Sequence, residues 1–211
     1  MRVFDFDGTI YDGESLFDLY LFSARYDPTV FRHIAPVLRY AVKYKLGKAT
    51  LEQMEHGVGK IARKYLRDLN ASPTVSRLAD NDGTKADGDG RPSDGLDALV
   101  TAFWDRNMRR IKPWYQPQPD DVIITASFDV TVGEACRRLG VRHLIASTID
   151  PDTMEVTYLN FNTNKPKRFR ELFGSDATID EFYTDSRFDQ PMIDLARHAF
   201  MVKGDTITPV K

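Results

Sequence analysis

The chain opens on an apolar run, Met1, Val3 and Phe4, that ends in Asp5-Phe6-Asp7-Gly8-Thr9. A short apolar run closed by polar residues predicts a strand with an acidic carboxyl tip. After Asp12-Gly13 the spacing turns helical, with Leu16, Phe17, Leu19, Tyr20, Leu21 and Phe22 on a broad apolar face. A second helix is expected from Pro28 to about Gly47, carrying Val30, Phe31, Ile34, Val37, Leu38, Ala41 and Val42, with a kink or break at Pro36. Thr50-Leu51-Glu52-Gln53 has the spacing of a capping box, so a third helix should run to about Asn70. Residues 71–95 break this texture. Ala79 to Pro92 has almost no apolar residue and is rich in Gly and Asp, which predicts a mobile loop. A helix resumes at Ser93, with Leu96, Leu99, Val100, Phe103 and Trp104 on one face.

From Asp121 the texture changes again. Val122-Ile123-Ile124 reads as a strand, followed by a helix to Leu139, and His143-Leu144-Ile145-Ala146 as the next strand. Glu155 to Phe161 suggests a strand or hairpin arm after the turn Asp150-Pro151-Asp152. A helix from about Pro166 to Phe173, a strand at Glu181-Phe182-Tyr183, a helix from about Pro191 to His198 and a last apolar run, Phe200-Met201-Val202, complete the pattern. Strands alternating with helices predict a parallel α/β sheet.

Composition narrows the chemistry. The 211 residues are 42% hydrophobic and 28% charged, which suits a globular protein with a substantial core. A net charge of -2 gives no reason to expect a nucleic-acid partner. Cys136 is the single cysteine, so no intramolecular disulfide forms; it falls within an apolar helix pattern and reads as a small core residue. No basic-plus-apolar leader and no bilayer-length apolar stretch is visible, which makes the cytoplasm the expected location. The four histidines show no metal-ligand spacing. Counted from the aspartates at 80, 82 or 87, the acidic loop never places a Gly and a Glu where a calcium loop needs them.

The informative positions are the strand ends, since open α/β sheets bind ligands beyond the carboxyl ends of their strands. Asp5 and Asp7, two apart, project to the same side and form one acidic site. Clustered carboxylates need a proton or a cation, and oxygen ligands suit a hard metal ion. Gly8 allows a sharp turn and close approach to a ligand. The competing reading is an Asp-Gly hairpin turn. Thr125 follows the strand at 122–124, and Asp185 follows Phe182-Tyr183-Thr184 with Ser186 and Asp189 close behind. Asp185 and Ser186 can also be read as a helix cap. Lys165, Lys167, Arg168 and Arg170 all offer a cation, and charge alone does not choose among them.

Four segments then carry a family resemblance. Asp5-Phe6-Asp7-Gly8-Thr9, Ile124-Thr125-Ala126-Ser127, Asn164-Lys165-Pro166-Lys167-Arg168-Phe169 and Tyr183-Thr184-Asp185-Ser186-Arg187-Phe188-Asp189 resemble the ordered motifs of the haloacid dehalogenase superfamily. The helical insert after the first motif resembles its phosphoserine-phosphatase-like branch. The resemblance implies a doubly wound parallel sheet, residues 1–14 and 115–211, and an inserted all-helical cap, residues 15–114, that contains the acidic loop at about 79–95. It implies that Asp5 is a nucleophile forming an aspartyl-phosphate and that Asp7 is the general acid and base. Thr125, Lys165 and Gly8 would contact the substrate phosphate, Lys165 fitting the motif register better than Lys167. Asp5, the carbonyl of Asp7 and Asp185 would bind Mg²⁺, with Asp189 in support. Dehalogenases of this superfamily lack the second acid of the first motif, so Asp7 favours phosphate chemistry on a small phosphomonoester.

Specificity is less sharply written. Glu14 stands where phosphoserine phosphatases carry a substrate-binding Glu, and equally where a helix N-terminus favours an acid. Leu51 to Val58 offers no Arg for a substrate carboxylate, which counts against phosphoserine. Phe31-Arg32-His33, Arg39-Tyr40 and Lys43-Tyr44-Lys45 mix basic and aromatic residues. An ordinary amphipathic cap helix is one reading; a membrane-surface helix acting on, or docking to, a lipid phosphate is the alternative.

Overall fold

A computed structural model describes residues 1–33, 35, 36, 39, 42, 43, 46, 51–81, 95–150 and 152–211. Two compact units emerge: residues 1–18, 104–148 and 158–211 form the first, and residues 19–103 with 149–157 the second. The division expected from the sequence fell at 14/15 and 114/115; the compact units part at 18/19 and 103/104, and 149–157 groups with the helical unit.

The first unit is built on a sheet whose seven strands are β1 (Arg2–Phe4), β2 (Val122–Phe128), β3 (His143–Ile149), β4 (Val156–Tyr158), β5 (Ile179–Thr184), β6 (Ala196–Lys203) and β7 (Thr206–Pro209), all within that unit except the last residue of β3 and the first two of β4. The order is β4-β3-β2-β1-β5-β6-β7. The chain winds outward from β1 to β4, then crosses to β5 on the other side of β1, so the winding reverses between β1 and β5. That switch point is where an open α/β sheet leaves a crevice. β1 pairs in parallel with β2 and β5, β2 with β3 and β5 with β6, whereas β6 and β7 are antiparallel. The sheet is therefore mixed rather than wholly parallel. β7 was absent from the sequence reading; it returns through a two-residue turn at Gly204-Asp205, with Gly204 at φ 59°.

The alternation of side chains gives the sheet two apolar faces. Val3, Val122, Ile124, Ile145, Ile179, Phe182 and Ala199 pack together on one, with Phe169 from α6 (Asn164–Phe173) and Met192 and Ile193 from α7 (Gln190–Leu195). On the other, Phe4, Tyr183 and Phe200 are register partners across β1, β5 and β6, and stack with centroids 4.8 and 4.7 Å apart. Buried aromatic and β-branched strands of this kind fix the depth at which β1 and β5 end.

Several elements differ from the sequence expectation. β2 runs to Phe128, four residues beyond the short run expected, with a register irregularity against β3 between Ile124 and Phe128. α5 (Asp129–Leu139) follows at once and buries Cys136, as the pattern suggested. The last predicted helix stops at Leu195; Ala196, Arg197 and His198 are strand. Ala196, Ala199 and Val202 are buried at every third position, which imitates a helix, but pairing with Ile179 and Phe182 holds the segment extended.

In the second unit, α1 (Ser15–Ser23) continues from the first, a 3-10 turn covers Pro28–His33, and α2 (Leu51–Asn70), α3 (Pro73–Asn81) and α4 (Gly95–Asn107) follow. Tyr20 donates to the Val30 carbonyl, and Ser23 and Tyr65 share a hydrogen bond of 2.9 Å. Ala79 to Asn81, expected in a loop, form the last turn of α3; residues 82–94 of the acidic loop lie outside the described residues. So do Thr50 and the neighbours of Pro36 on which the kink depends.

Phe182→Ala should cost about 3–5 kcal/mol, because it leaves a cavity in the middle strand layer. Urea unfolding measures this; a loss below about 1 kcal/mol would mean that the two sheet faces are not tightly packed around β5.

Candidate active site

The carboxyl ends of β1, β2 and β5 meet in a cavity of about 310 Å³, lined by Asp5, Asp7, Glu14, Thr125, Ser127, Lys165, Asp185 and Asp189 among others. The structure thus brings together the candidates named from the sequence except Gly8, which lies in the adjoining loop and is not among the lining residues. Asp5 follows β1 directly, its amide donating to the Tyr183 carbonyl at 2.9 Å. Lys165 enters from the first turn of α6 and is 2% exposed. Its Nζ lies 3.1 Å from Asp5 Oδ1 and 2.9 Å from Asp189 Oδ2. Asp189 also accepts from Thr184 Oγ1 at 2.8 Å. Asp189 therefore holds the lysine. Lys167 lies elsewhere, lining a surface groove with Pro166 and Arg170.

The loop after β1 is tied on both sides. Asp185 N donates to Thr9 Oγ1 at 2.9 Å, joining the loop to the end of β5. Gly8 takes φ 68°, and a Cβ there would sit 2.2 Å from Asp185 Oδ2. Only glycine satisfies both the left-handed backbone and the carboxylate against it. Phe6 and Tyr11 are buried against Trp104, whose Nε1 donates to the Thr131 carbonyl at 2.6 Å. These rings fix the loop from below.

Asp7 is gripped at both oxygens. Ser15 N donates to Oδ1 at 2.6 Å, and Ser127 Oγ to Oδ2 at 2.5 Å. Ser127 N in turn donates to Thr125 Oγ1 at 3.0 Å. Asn160 spans β2 and β3, its Nδ2 donating to the carbonyls of Thr125 and Ile145 where the register slips. Such irregularities re-aim side chains next to ligand sites. Ser15 and Asn160 were not found in the sequence; they sit on a helix start and in a loop with no motif of their own. Ser127 lay inside a quoted motif, and period-2 spacing from Thr125 was its signal.

Electrostatics follow from burial. Burial pushes the Asp5 carboxyl well above the usual range; Lys165 opposes this, and Asp189, Asp7 and Asp185 add to it. Asp7 is raised by burial against the pull of its two serine bonds. Asp185 is raised mainly by burial, with Lys112 and Lys165 opposing. Burial works against the Lys165 ammonium, but Asp5 and Asp189 outweigh it and hold its pKa at about 12. Glu14 is raised to about 7 by desolvation and the repulsion of Asp7, Asp185 and Asp18.

This donor set suits Mg²⁺. Asp5 and Asp185 supply hard carboxylate oxygens beside a loop whose glycine lets them approach, and the surplus of negative charge calls for a cation. No three His, Cys, Asp or Glu side chains are arranged to hold a metal among the described residues. Two carboxylates with room for waters match an ion that keeps much of its hydration shell.

Comparison with known proteins gives the family and the fold. The haloacid dehalogenase-like hydrolase family model matches residues 3–194. The chain belongs to that family. A curated probable phosphatase of Mycobacterium tuberculosis is 32% identical over 93 residues, 41% of this chain and 32% of the relative. The match thus spans about a third of the length of the curated relatives. Among solved structures, a Bordetella pertussis protein of unknown function superposes with a TM-score of 0.56 at 19% identity, covering 94% of this chain and 87% of that one. A haloacid dehalogenase family hydrolase of Salmonella enterica serovar Typhi gives 0.50 at 15% identity, covering 92% and 59%. These two share the fold. No described helix of this family member is long and apolar enough to cross a membrane.

Two predictions concern the acids and the loop. Carboxylates raised on folding hold protons that the unfolded chain releases. Their stability contribution is intact below the ordinary range near about pH 4 and is lost as pH climbs through the raised values, Glu14's at about 7 among them. In EDTA the melting temperature should fall between about pH 5 and 8, and Mg²⁺ should restore it most at the upper end. A metal-free melting temperature that rises across this range would contradict the electrostatics. Gly8→Ala should abolish Mg²⁺-dependent stabilisation, read as loss of the melting shift; an unchanged shift would show that the loop has room to spare.

Proposed function

We propose that this hydrolase is a Mg²⁺-dependent phosphatase of the phosphoserine-phosphatase-like branch, acting on a small phosphomonoester. The observation that carries the reading is Lys165 bridging Asp5 and Asp189 at the switch point, with Thr125 and Asp7 on the same cavity. Phosphoryl transfer asks for positioning and charge neutralisation more than for covalent ingenuity, and this cavity offers both.

In the first step an Asp5 carboxylate oxygen attacks phosphorus. The bond to the ester oxygen breaks, and that oxygen takes the proton of the Asp7 carboxyl as it leaves. Asp7 suits this role because burial raises its pKa while Ser15 and Ser127 hold its orientation. In the second step Asp7, now a carboxylate, takes a proton from water as the water oxygen attacks phosphorus. The bond to Asp5 breaks and inorganic phosphate is released. Thr125 and the Gly8 segment would contact the phosphoryl oxygens, and Lys165 would neutralise them. Mg²⁺, held by Asp5, Asp185 and the carbonyl of Asp7, would offset the phosphate's charge when bound; Asp189 acts through Lys165.

The inserted helical unit is the proposed selector of substrate. Glu14 lines the cavity and could accept a hydrogen bond from a hydroxyl or amine of the leaving group. The described lining residues include no Arg to pair a substrate carboxylate, which favours other phosphomonoesters over phosphoserine. Of the basic and aromatic stretch that suggested a lipid surface, Arg32 and His33 are engaged by Asp68, Phe31 is exposed, Arg39 and Lys43 line a groove, and Tyr40, Tyr44 and Lys45 lie outside the described residues. An ordinary helical unit that shows its basic residues to solvent accounts for these placements, so the small phosphomonoester is the preferred reading.

Hydrolysis of an aryl phosphate should require Mg²⁺, and Asp5→Asn should lower it at least about 1,000-fold. Asp7→Asn should lose about 100- to 10,000-fold on alkyl phosphates and distinctly less in the first step on aryl phosphates, whose leaving groups need no proton. Full activity in Asp5→Asn would end the assignment.

A further inference from the structure

Lys112 is a buried lysine that the sequence motifs do not include, 4% exposed and outside the lining of the catalytic cavity. It lies just after the chain has returned from the helical unit. Its backbone is fixed: Lys112 N donates to the Ile10 carbonyl at 2.8 Å, and Tyr115 N donates to the Lys112 carbonyl at 3.0 Å. Its ammonium makes no side-chain ion pair within the described contacts. It donates instead to two main-chain carbonyls, Gly8 O at 2.5 Å and Gly204 O at 2.9 Å.

These partners are far apart in sequence and different in kind. Gly8 belongs to the loop that carries Asp7 and abuts the Asp185 carboxylate. Gly204 is the tip of the β6–β7 hairpin, at positive φ, and lines no part of the cavity. Burying a lysine is costly, and the cost is offset when its protons are satisfied and negative charge lies near. Asp185 is the acid close enough to feel it. A charged donor on the Gly8 carbonyl fixes the Gly8–Thr9 peptide plane, while Gly8 N, donating to the Gly13 carbonyl at 2.9 Å, ties the adjoining Asp7–Gly8 plane; together the two bonds hold both sides of Gly8, on the loop that carries the Asp7 carbonyl.

We propose that Lys112 is a positioning residue for the metal site, clamping the loop after β1 onto the β6–β7 turn so that the Asp7 carbonyl and the Asp185 carboxylate converge on one Mg²⁺. This rests on the phosphatase reading above. The clamp makes the outer hairpin part of the support for the metal, although neither Lys112 nor Gly204 touches substrate. The Gly8 and Gly204 ends should behave as one device.

The test is Mg²⁺ binding by calorimetry, alongside the Mg²⁺ dependence of aryl phosphate hydrolysis, for the whole chain carrying Lys112→Met, Lys112→Arg, Gly204→Ala and the double variant Lys112→Met with Gly204→Ala. A Cβ at Gly204 meets nothing within 4 Å, so that substitution acts through backbone conformation. Lys112→Met should weaken Mg²⁺ about tenfold, with kcat at saturating Mg²⁺ and KM within about threefold of the parent, and Lys112→Arg should recover part of the loss. Gly204→Ala should weaken Mg²⁺ about threefold, and the double variant should be no worse than Lys112→Met, as expected for two ends of one interaction. Mg²⁺ affinity within about twofold of the parent in folded Lys112→Met, or losses that multiply in the double variant, would overturn the proposal. If Lys112→Met does not fold, unchanged affinity in Gly204→Ala overturns it. A parent that binds Mg²⁺ yet hydrolyses no aryl phosphate would remove the phosphatase reading and leave calorimetry to decide the clamp; a parent that binds no Mg²⁺ would remove both.

Discussion

A single ammonium group makes this site affordable. Asp5 and Asp189 are both buried, and burying like charges together is costly unless a positive charge lies between them. Lys165 meets both at once, and they in turn keep it charged. The three groups come from the end of β1, the start of α6 and the turn after β5. Their contact therefore fixes the relative placement of three elements on which the crevice depends. Breaking such a buried arrangement at one member leaves an uncompensated charge, so it tolerates little deviation.

The acids can sit at the crevice because the apolar layers beneath them leave no freedom of depth. Phe4, Tyr183 and Phe200 stack across three strands, and Phe6, Tyr11 and Trp104 close under the first loop. The loop then needs only a few polar ties. Thr9 secures it to β5, Asp7 to the start of α1 and the end of β2, and Gly8 to Lys112. Rigid hydrophobic support below and directed hydrogen bonds above suit a site that must hold several like charges close together.

Much of this was legible in the residues. The apolar runs ending in Asp5 and Asp185 mark strand tips, because a buried parallel strand is apolar until it leaves the sheet, whereas Thr125 lies inside a strand that runs on to Phe128. The misreadings are equally physical. Ala196, Ala199 and Val202 repeat every third residue and imitate a helix, while cross-strand partners make them a strand. β7 is exposed throughout and has no apolar signature; a turn and an edge make it. Pro73 to Asn81 looked like the edge of a polar loop, yet proline suits a helix's first turn and Val75 supplies a buried anchor.

The sequence by itself determined the chemistry available: two acids after the first strand, a glycine that permits a tight turn, an acid pair after Thr184, and the alternation of strands and helices as far as β6. These are local properties, carried by residue type and spacing. Tertiary structure decided which groups meet. It selected Lys165 over Lys167 as the cation in the cavity, turned Asp189 toward that lysine, set Ser15 and Ser127 on Asp7, and buried Lys112 against two carbonyls. Spacing along a chain cannot specify such partners, because each contact joins segments whose distance is set by sheet order and register.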